Sequence, residues 1–247
     1  MTKKIFWLCS FFILALYFQS VYSQFTVDLE TGIAYNTLND VRIPGDQGTL
    51  FSLADDFKSD PTIFFRAKLY YQLNERNTFF LLIAPLTIKP EGQTVKDIQF
   101  AGELFPANTY INAKYKFNSY RLSYRYRLFD WNTAELHIGF TAKIRDAEIR
   151  LTSGDLDAKK TNVGFVPLIN FKFFWQFHDS FGLLLDGDAL AAPQGRAEDV
   201  LLACTYDIKE KFRIKIGYRI LEGGADNDEV YTFALIHYAV IGLVIRF

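Results

Sequence analysis

Cysteine and histidine are scarce in this sequence of 247 residues: it holds two cysteines, Cys9 and Cys204, and three histidines, His137, His178 and His237. Once the N-terminal segment that carries Cys9 is set aside, Cys204 stands alone, which excludes an intramolecular disulfide and any paired-cysteine metal site. Three scattered imidazoles leave little material for nucleophilic catalysis. After that segment no stretch approaches 18 consecutive apolar residues, so a membrane-spanning helix is excluded there. Charge of one sign is lacking as well: the formal net charge of −1 gives no bias toward nucleic acid. No phosphate-cradling glycine loop or nucleotide fingerprint is visible, and no cofactor is expected.

What is present begins with Lys3 and Lys4, an apolar run from Ile5 to Phe18, and small residues near Val21 and Ser23. These are the three parts of a secretory signal, with cleavage expected after Ser23. The run is shorter than the roughly 20 residues of a spanning helix, which disfavours an uncleaved anchor. Cys9 sits inside the run rather than after a small-residue cleavage box, which argues against a lipid anchor. Of the 27 basic side chains two, Lys3 and Lys4, leave with this segment, so 25 stand against 28 acidic ones, a net charge of −3.

Strict alternation runs through the remainder, residues 24–247, read as one domain. In Phe212 to Leu221 one face reads Phe212, Ile214, Ile216, Tyr218, Ile220 and the other Arg213, Lys215, Gly217, Arg219. Successive strand residues point to opposite faces, so one face suits lipid and the other water. A chain without spanning helices that enters a membrane must do so as a closed barrel, because every backbone polar group needs a partner. Strands are expected near Phe25–Asn36, Thr62–Leu73, Thr78–Lys89, Ile111–Phe129, Ala134–Leu151, Val163–Phe177, Phe181–Ala191, Val200–Ile208, Phe212–Leu221 and Val230–Phe247. The reading is therefore all-β: a single antiparallel up-and-down transmembrane barrel of ten strands. The third strand is apolar on both faces at Phe79 to Ile83, and a phase change at Asn118 predicts a bulge in the fourth.

Short turns at 74–77, 130–133, 178–180 and 209–211 alternate with longer loops at 38–60, 90–110, 152–162, 193–199 and 222–229. Short turns belong to the periplasm and long loops to the outside, which places both termini in the periplasm. Trp131, Trp175, Tyr126, Tyr206 and Tyr218 read as an interfacial aromatic girdle.

The last strand carries Tyr231, Phe233, Leu235, Leu243 and Ile245 at alternate positions and ends on Phe247. This resembles the C-terminal assembly signal of small bacterial outer-membrane β-barrel proteins. The resemblance implies recognition by the barrel-assembly machinery, with Tyr231, Phe233, Leu243, Ile245 and Phe247 carrying the signal, and a place in the outer membrane against the lipid bilayer and surface glycolipid. It points to no named subfamily.

The lumen-facing positions hold roughly twice as many basic as acidic side chains, among them Arg66, Lys68, Arg121, Arg125, Lys143 and Arg145. Folding the hairpins about their short turns sets Lys172 opposite Asp186, Arg127 opposite Glu135 and Asp207 opposite Arg213, and closure brings Arg246 toward Asp28. These pairs suggest a side-chain-filled interior, since a ten-stranded barrel is only slightly wider than the filled eight-stranded kind. Ser123 and His137 face inward on adjacent strands about one diagonal step apart and are the weak catalytic candidates. Asp226, Asp228 and Glu229 offer oxygen ligands for a hard cation, although their spacing matches no twelve-residue calcium loop.

The leading expectation is a non-enzymatic outer-membrane barrel whose outer loops, above all 38–60 and 90–110, contact a ligand, lipid or partner of unspecified chemistry. Alternatives are a small anion-preferring channel, a porin-like use of the surplus positive charge, and a lipid A-modifying or proteolytic barrel enzyme using Ser123 and His137. A soluble periplasmic barrel fits poorly with the broad apolar outer face.

Overall fold

The computed structural model describes residues 24–192 and 195–247. The expected leader and its cleavage point lie outside the described residues. Ten long strands follow in chain order: β1 (Phe25–Arg42), β2 (Thr62–Gln72), β3 (Asn77–Ala84), β4 (Tyr110–Asp130), β5 (Ala134–Ser153), β6 (Leu156–His178), β7 (Phe181–Ala192), β8 (Gly195–Lys209), β9 (Phe212–Asp226) and β10 (Tyr231–Arg246). Each pairs antiparallel with its sequence neighbour, and β1 closes the ring on β10, from Thr26 opposite Arg246 to Arg42 opposite Tyr231. The all-β ten-stranded barrel read from the alternation is thus the fold.

Alternation decides what each face meets. Outward side chains such as Ile63, Phe140, Val163 and Ile216 are 64–81% exposed, a surface that only lipid would cover favourably. Trp131, Trp175, Tyr206 and Tyr218 lie exposed on the same outer face. Their inward neighbours, including Arg66, Arg121, Lys215 and Arg219, are at most 4% exposed.

Three expectations need correction. The fourth strand has no bulge at Asn118, which pairs in register with Asp146, and the register shifts fall instead at Asn36/Leu38, Leu136/His137, Gln176/His178 and Asp207/Lys209. The apparent phase change arises because the interior itself turns apolar there: Ile111, Ala113 and Tyr115 are buried in phase with Ser119, Arg121 and Ser123. Asn118 bridges a break in the neighbouring wall, where β3 stops at Ala84 and pairing resumes at Thr87. Its Oδ1 accepts from Leu86 N at 3.2 Å and its Nδ2 donates to Asp146 at 3.2 Å.

The expected loop at 152–162 is a hairpin of β5 and β6 that turns at Gly154 and Asp155, between Ser153 and Leu156. Gly154 has φ 55°, the sign that a two-residue hairpin of favoured twist requires at its first central position. The expected loops at 193–199 and 222–229 are likewise strand from Gly195 onward and as far as Asp226. With 21, 20 and 23 residues, β4, β5 and β6 far exceed the about 9–11 that a spanning strand needs, so this side of the wall is taller than a bilayer-spanning strand requires.

The two longest loops fold together into an apolar cap. Phe51, Leu53, Phe57, Ile98, Phe100 and Phe105 are at most 3% exposed and join wall residues Val41, Ile88, Ile111 and Leu151 in one core. Phe51 packs edge-on against Phe57 and Phe100, with ring centroids 6.3 and 5.8 Å apart. Lys58 and Glu91 exchange both backbone hydrogen bonds, at 2.8 and 2.9 Å, tying one loop to the other. Each buried phenylalanine contributes on the order of 1.5–3 kcal/mol, so the cap is a packed structure and not a pair of free loops.

Candidate ligand-binding cavity and luminal charge network

Below the cap the lumen is crossed by ion pairs. Asp199 on β8 accepts from Arg66 on β2 at 2.9 Å, Arg121 on β4 at 2.5 Å and Arg219 on β9 at 2.6 Å. Glu30 on β1 accepts from Arg219 at 2.8 Å and Lys215 at 2.6 Å, and Lys215 also reaches Asp28 at 2.7 Å. Asp186 on β7 takes Arg125 at 2.5 Å and Lys68, while Asp188 takes Arg121 at 2.6 Å and Asn170 Nδ2 at 2.8 Å. Strands on opposite sides of the ring are joined, so the network spans the lumen. Among the described residues seven lysines and arginines and five carboxylates are buried, and all of them but Lys143 hold one another with charge-assisted hydrogen bonds.

The pairs expected from hairpin folding fare unevenly. Asp207 and Arg213 do pair, at 2.8 Å. Lys172 stands opposite Asp186 in register, yet its ammonium goes to Glu135 at 3.4 Å because Lys68 and Arg125 already hold Asp186. Arg127 does not meet Glu135: the register shift beside His137 puts Asp130 opposite Glu135, and Arg127 binds Asp130 at 3.0 Å. Arg246 binds Asp207 at 3.4 Å instead of Asp28, which belongs to Lys215.

Ser123 and His137 are not brought together. Ser123 lies opposite Thr141, and the two hydroxyls are 2.6 Å apart. His137 lies four residues away along β5, roughly 13 Å at about 3.3 Å per residue, where its Nε2 meets Glu135 at 2.7 Å. The Thr141 hydroxyl donates to Asp188 Oδ1 at 2.5 Å, so Ser123 is one end of a buried polar chain with no imidazole beside it. Asp226, Asp228 and Glu229 are also apart in role: Glu229 reaches Lys160 at 3.5 Å, and the backbone oxygen of Asp228 accepts from Gly45. Among the described residues no group of three potential metal ligands forms.

The end of the barrel beside the cap holds a cavity of about 900 Å³. Its surface is mainly apolar, with Phe117, Ile149, Phe165, Val166, Leu190 and Phe233 prominent, and charged side chains of both signs, Lys143, Arg145, Lys160, Arg196, Glu148, Glu222, Asp228 and Glu229, also line it. That volume lies near the upper end of the about 300–1,000 Å³ typical of small-molecule sites. Lys143 lies at its inner end, 2% exposed, with its ammonium 4.8 Å from the Phe117 ring centroid. Alternation placed Lys143 and Arg145 in the lumen, but the cavity itself depends on where the cap settles, which alternation does not encode.

The strand bearing the assembly signal serves both ends. Leu243 and Ile245 lie at the seam with β1, where Phe247 N donates to Phe25 O at 3.1 Å. Tyr231 and Phe233 lie at the other end, under Arg42 and Arg196 at 5.0 and 5.7 Å, and Phe233 lines the cavity.

No family model matches the chain, and no curated protein matches it either. Among solved structures, the outer-membrane protease OmpT from Escherichia coli aligns over 92% of this chain and 97% of its own, with TM-score 0.58 and 10% identity. The translocator domain of the autotransporter NalP from Neisseria meningitidis aligns over the whole of both chains at TM-score 0.44 and 9% identity. Ail, the attachment invasion locus protein of Yersinia pestis, aligns over 91% and 99% at TM-score 0.39 and 11% identity. At these identities the likeness is one of architecture: the chain has the fold of small bacterial outer-membrane β-barrels.

Proposed function

We propose that the chain is an integral outer-membrane protein, exported by its N-terminal leader and inserted with both termini in the periplasm, that binds a ligand in its outer cavity and neither conducts nor catalyses. The observation that carries this reading is a mainly apolar cavity of about 900 Å³ standing on a floor of interlocked ion pairs. The floor argues against a channel, because an ion in transit would have to displace charge-assisted bonds that cross the lumen. Catalysis has little support: the buried Ser123 has no imidazole beside it, and the three histidines lie beside Glu135, in the 178–180 turn and on the outer face. Outer-membrane placement is supported by the shared fold and the exposed apolar belt; contact with surface glycolipid and delivery by the barrel-assembly machinery belong to the same reading.

The test is reconstitution of the full mature protein in planar bilayers. No unitary steps above background are expected, while Asp199→Ala, which opens the floor, admits small ones. Steady wild-type conductance that falls on neutralising Arg121 would replace this reading with an anion-preferring channel.

A further inference from the structure

The cavity has one electrostatic feature that its neighbours do not satisfy. Its acids are each matched or stand at the rim: Glu148 binds Lys114 at 3.1 Å, Glu229 binds Lys160, Glu222 binds Arg196, and Asp228 is exposed. Lys143 differs. Among the described residues its ammonium has no hydrogen bond and no carboxylate within 4.0 Å, only the Phe117 ring. Two residues along the same face, Arg145 donates to Asn162 at 2.6 Å but leaves its Nε buried without a partner. A recessed ammonium without a counter-ion leaves a place for an anion to make a charge-assisted hydrogen bond, and both unused donors border the same cavity.

The wall beside this cavity is incomplete. β7 pairs with β6 only between Phe181–His178 and Ala189–Ile169. The outer part of β6, residues 156–168, therefore has β5 on one edge and, among the described residues, no strand on the other. Pro167, which has no N–H to donate, sits on that open edge. The cavity passes through the gap: it is lined by Val166, which faces the lumen opposite Lys143, and also by Phe165 and Pro167, which face outward. Phe165 and Val163 are 64% and 72% exposed at the same level, so the opening borders the apolar belt.

We propose that the cavity takes a single-chain amphiphile with an anionic head, of the fatty-acid class, which enters sideways from the outer leaflet between the outer part of β6 and the end of β7 beyond Ala189 and places its carboxylate on Lys143 with Arg145 beside it. The proposal deepens the binding reading above. The chain lies along Phe117, Ile149, Val166 and Phe233, where it removes apolar wall from water, and the head supplies the missing counter-ion. The matched acids at the rim leave no second cationic centre of this burial in the cavity, which sets the polarity: head inward, tail toward the gap.

The test uses the full mature protein in lipid nanodiscs with a fluorescent sixteen-carbon fatty acid and the methyl ester of the same chain. Saturable binding of the acid is expected, with the ester weaker by about tenfold or more, the worth of one charge-assisted hydrogen bond. Lys143→Met removes that difference, Lys143→Arg keeps it, and Ala147→Trp, which fills the cavity, abolishes both. Each variant is first checked for the heat-dependent gel shift of a folded barrel. Acid and ester binding equally, or Lys143→Met leaving the acid unaffected, overturns the head assignment. Loading only from albumin in the aqueous phase, and never from acid dissolved in the bilayer, overturns lateral entry. A non-conducting barrel that binds neither lipid sinks this proposal while leaving the binding reading standing; a conducting one sinks that reading instead.

Discussion

Asp199 is where the physical account of the lumen is most exposed to refutation. Its carboxylate is 2% exposed and accepts from Arg66, Arg121 and Arg219, drawn from three other strands. In Asp199→Asn the shape is nearly kept, but three guanidiniums lose a shared negative charge, and only Glu30 and Asp188 remain within reach. Removing one partner of a buried ion pair costs about 3–5 kcal/mol; a pair open to water is worth about 0–1 kcal/mol. The two pictures of the lumen, dry plug and wet channel, are thus separated by several kcal/mol at a single residue. Urea unfolding in lipid vesicles, followed by the fluorescence of Trp131 and Trp175, measures the difference. A loss of at least about 3 kcal/mol is expected. A loss below about 1 kcal/mol would mean that water solvates these charges, and the argument for an occluded lumen would fail.

Other consequences are open to simpler measurements. Phe51→Ala removes a side chain at the centre of the loop cap, so about 3–5 kcal/mol of packing is lost; limited proteolysis should then cut within 43–61 and 90–109 while the heat-resistant barrel persists. Ser123→Ala deletes one hydroxyl contact and should cost about 1 kcal/mol, with lipid A profile and peptidase activity unchanged; loss of either activity would revive the catalytic reading. Cys204 points outward in the wall, so a lipid-soluble maleimide should label it and a charged, membrane-impermeant one should not. In a Cys204→Ser background, Asp155→Cys should be labelled on intact cells and Glu210→Cys only after permeabilisation; the reverse pattern would invert the proposed orientation.

The legibility of this fold follows from what alternation encodes. A strand wetted on one side and lipid-facing on the other writes period two into the sequence, and Phe212 to Leu221 shows it cleanly. Expected strand ends fall close to the observed ones where both faces keep their character, as at Phe181 and Phe212. Where the inside turns apolar the same rule misleads: Ile111, Ala113 and Tyr115 face inward against the cap, and a reader who equates apolar with outward sees a phase change. The ion pairs were half legible for a related reason. Asp207 and Arg213 belong to one hairpin, whereas Asp199 and Arg66, or Asp186 and Lys68, meet across the lumen, at separations no hairpin reveals. Lys143 was visible as a luminal base; its lack of a partner depends on Asp188 and Asp199 being held by Arg66, Arg121 and Arg219.

The charge network has a further consequence for how the barrel closes. β1 and β10 are far apart in sequence, and the outer-face pattern of both is apolar and forgiving, so lipid alone would tolerate several registers at their seam. A one-residue slip, however, turns every inward side chain of a strand outward. At this seam that would carry Asp28 and Glu30 into lipid and strip Lys215 and Arg219 on β9 of their partners, which reach past β10 to find them. A two-residue slip keeps the faces but moves Glu30 about 6–7 Å along the strand, beyond reach of the guanidinium it now holds at 2.8 Å. Buried ions add little to stability compared with apolar packing, but they penalise wrong pairings heavily. The network therefore selects the register in which the first strand meets the last, and the floor beneath the outer cavity follows from that choice.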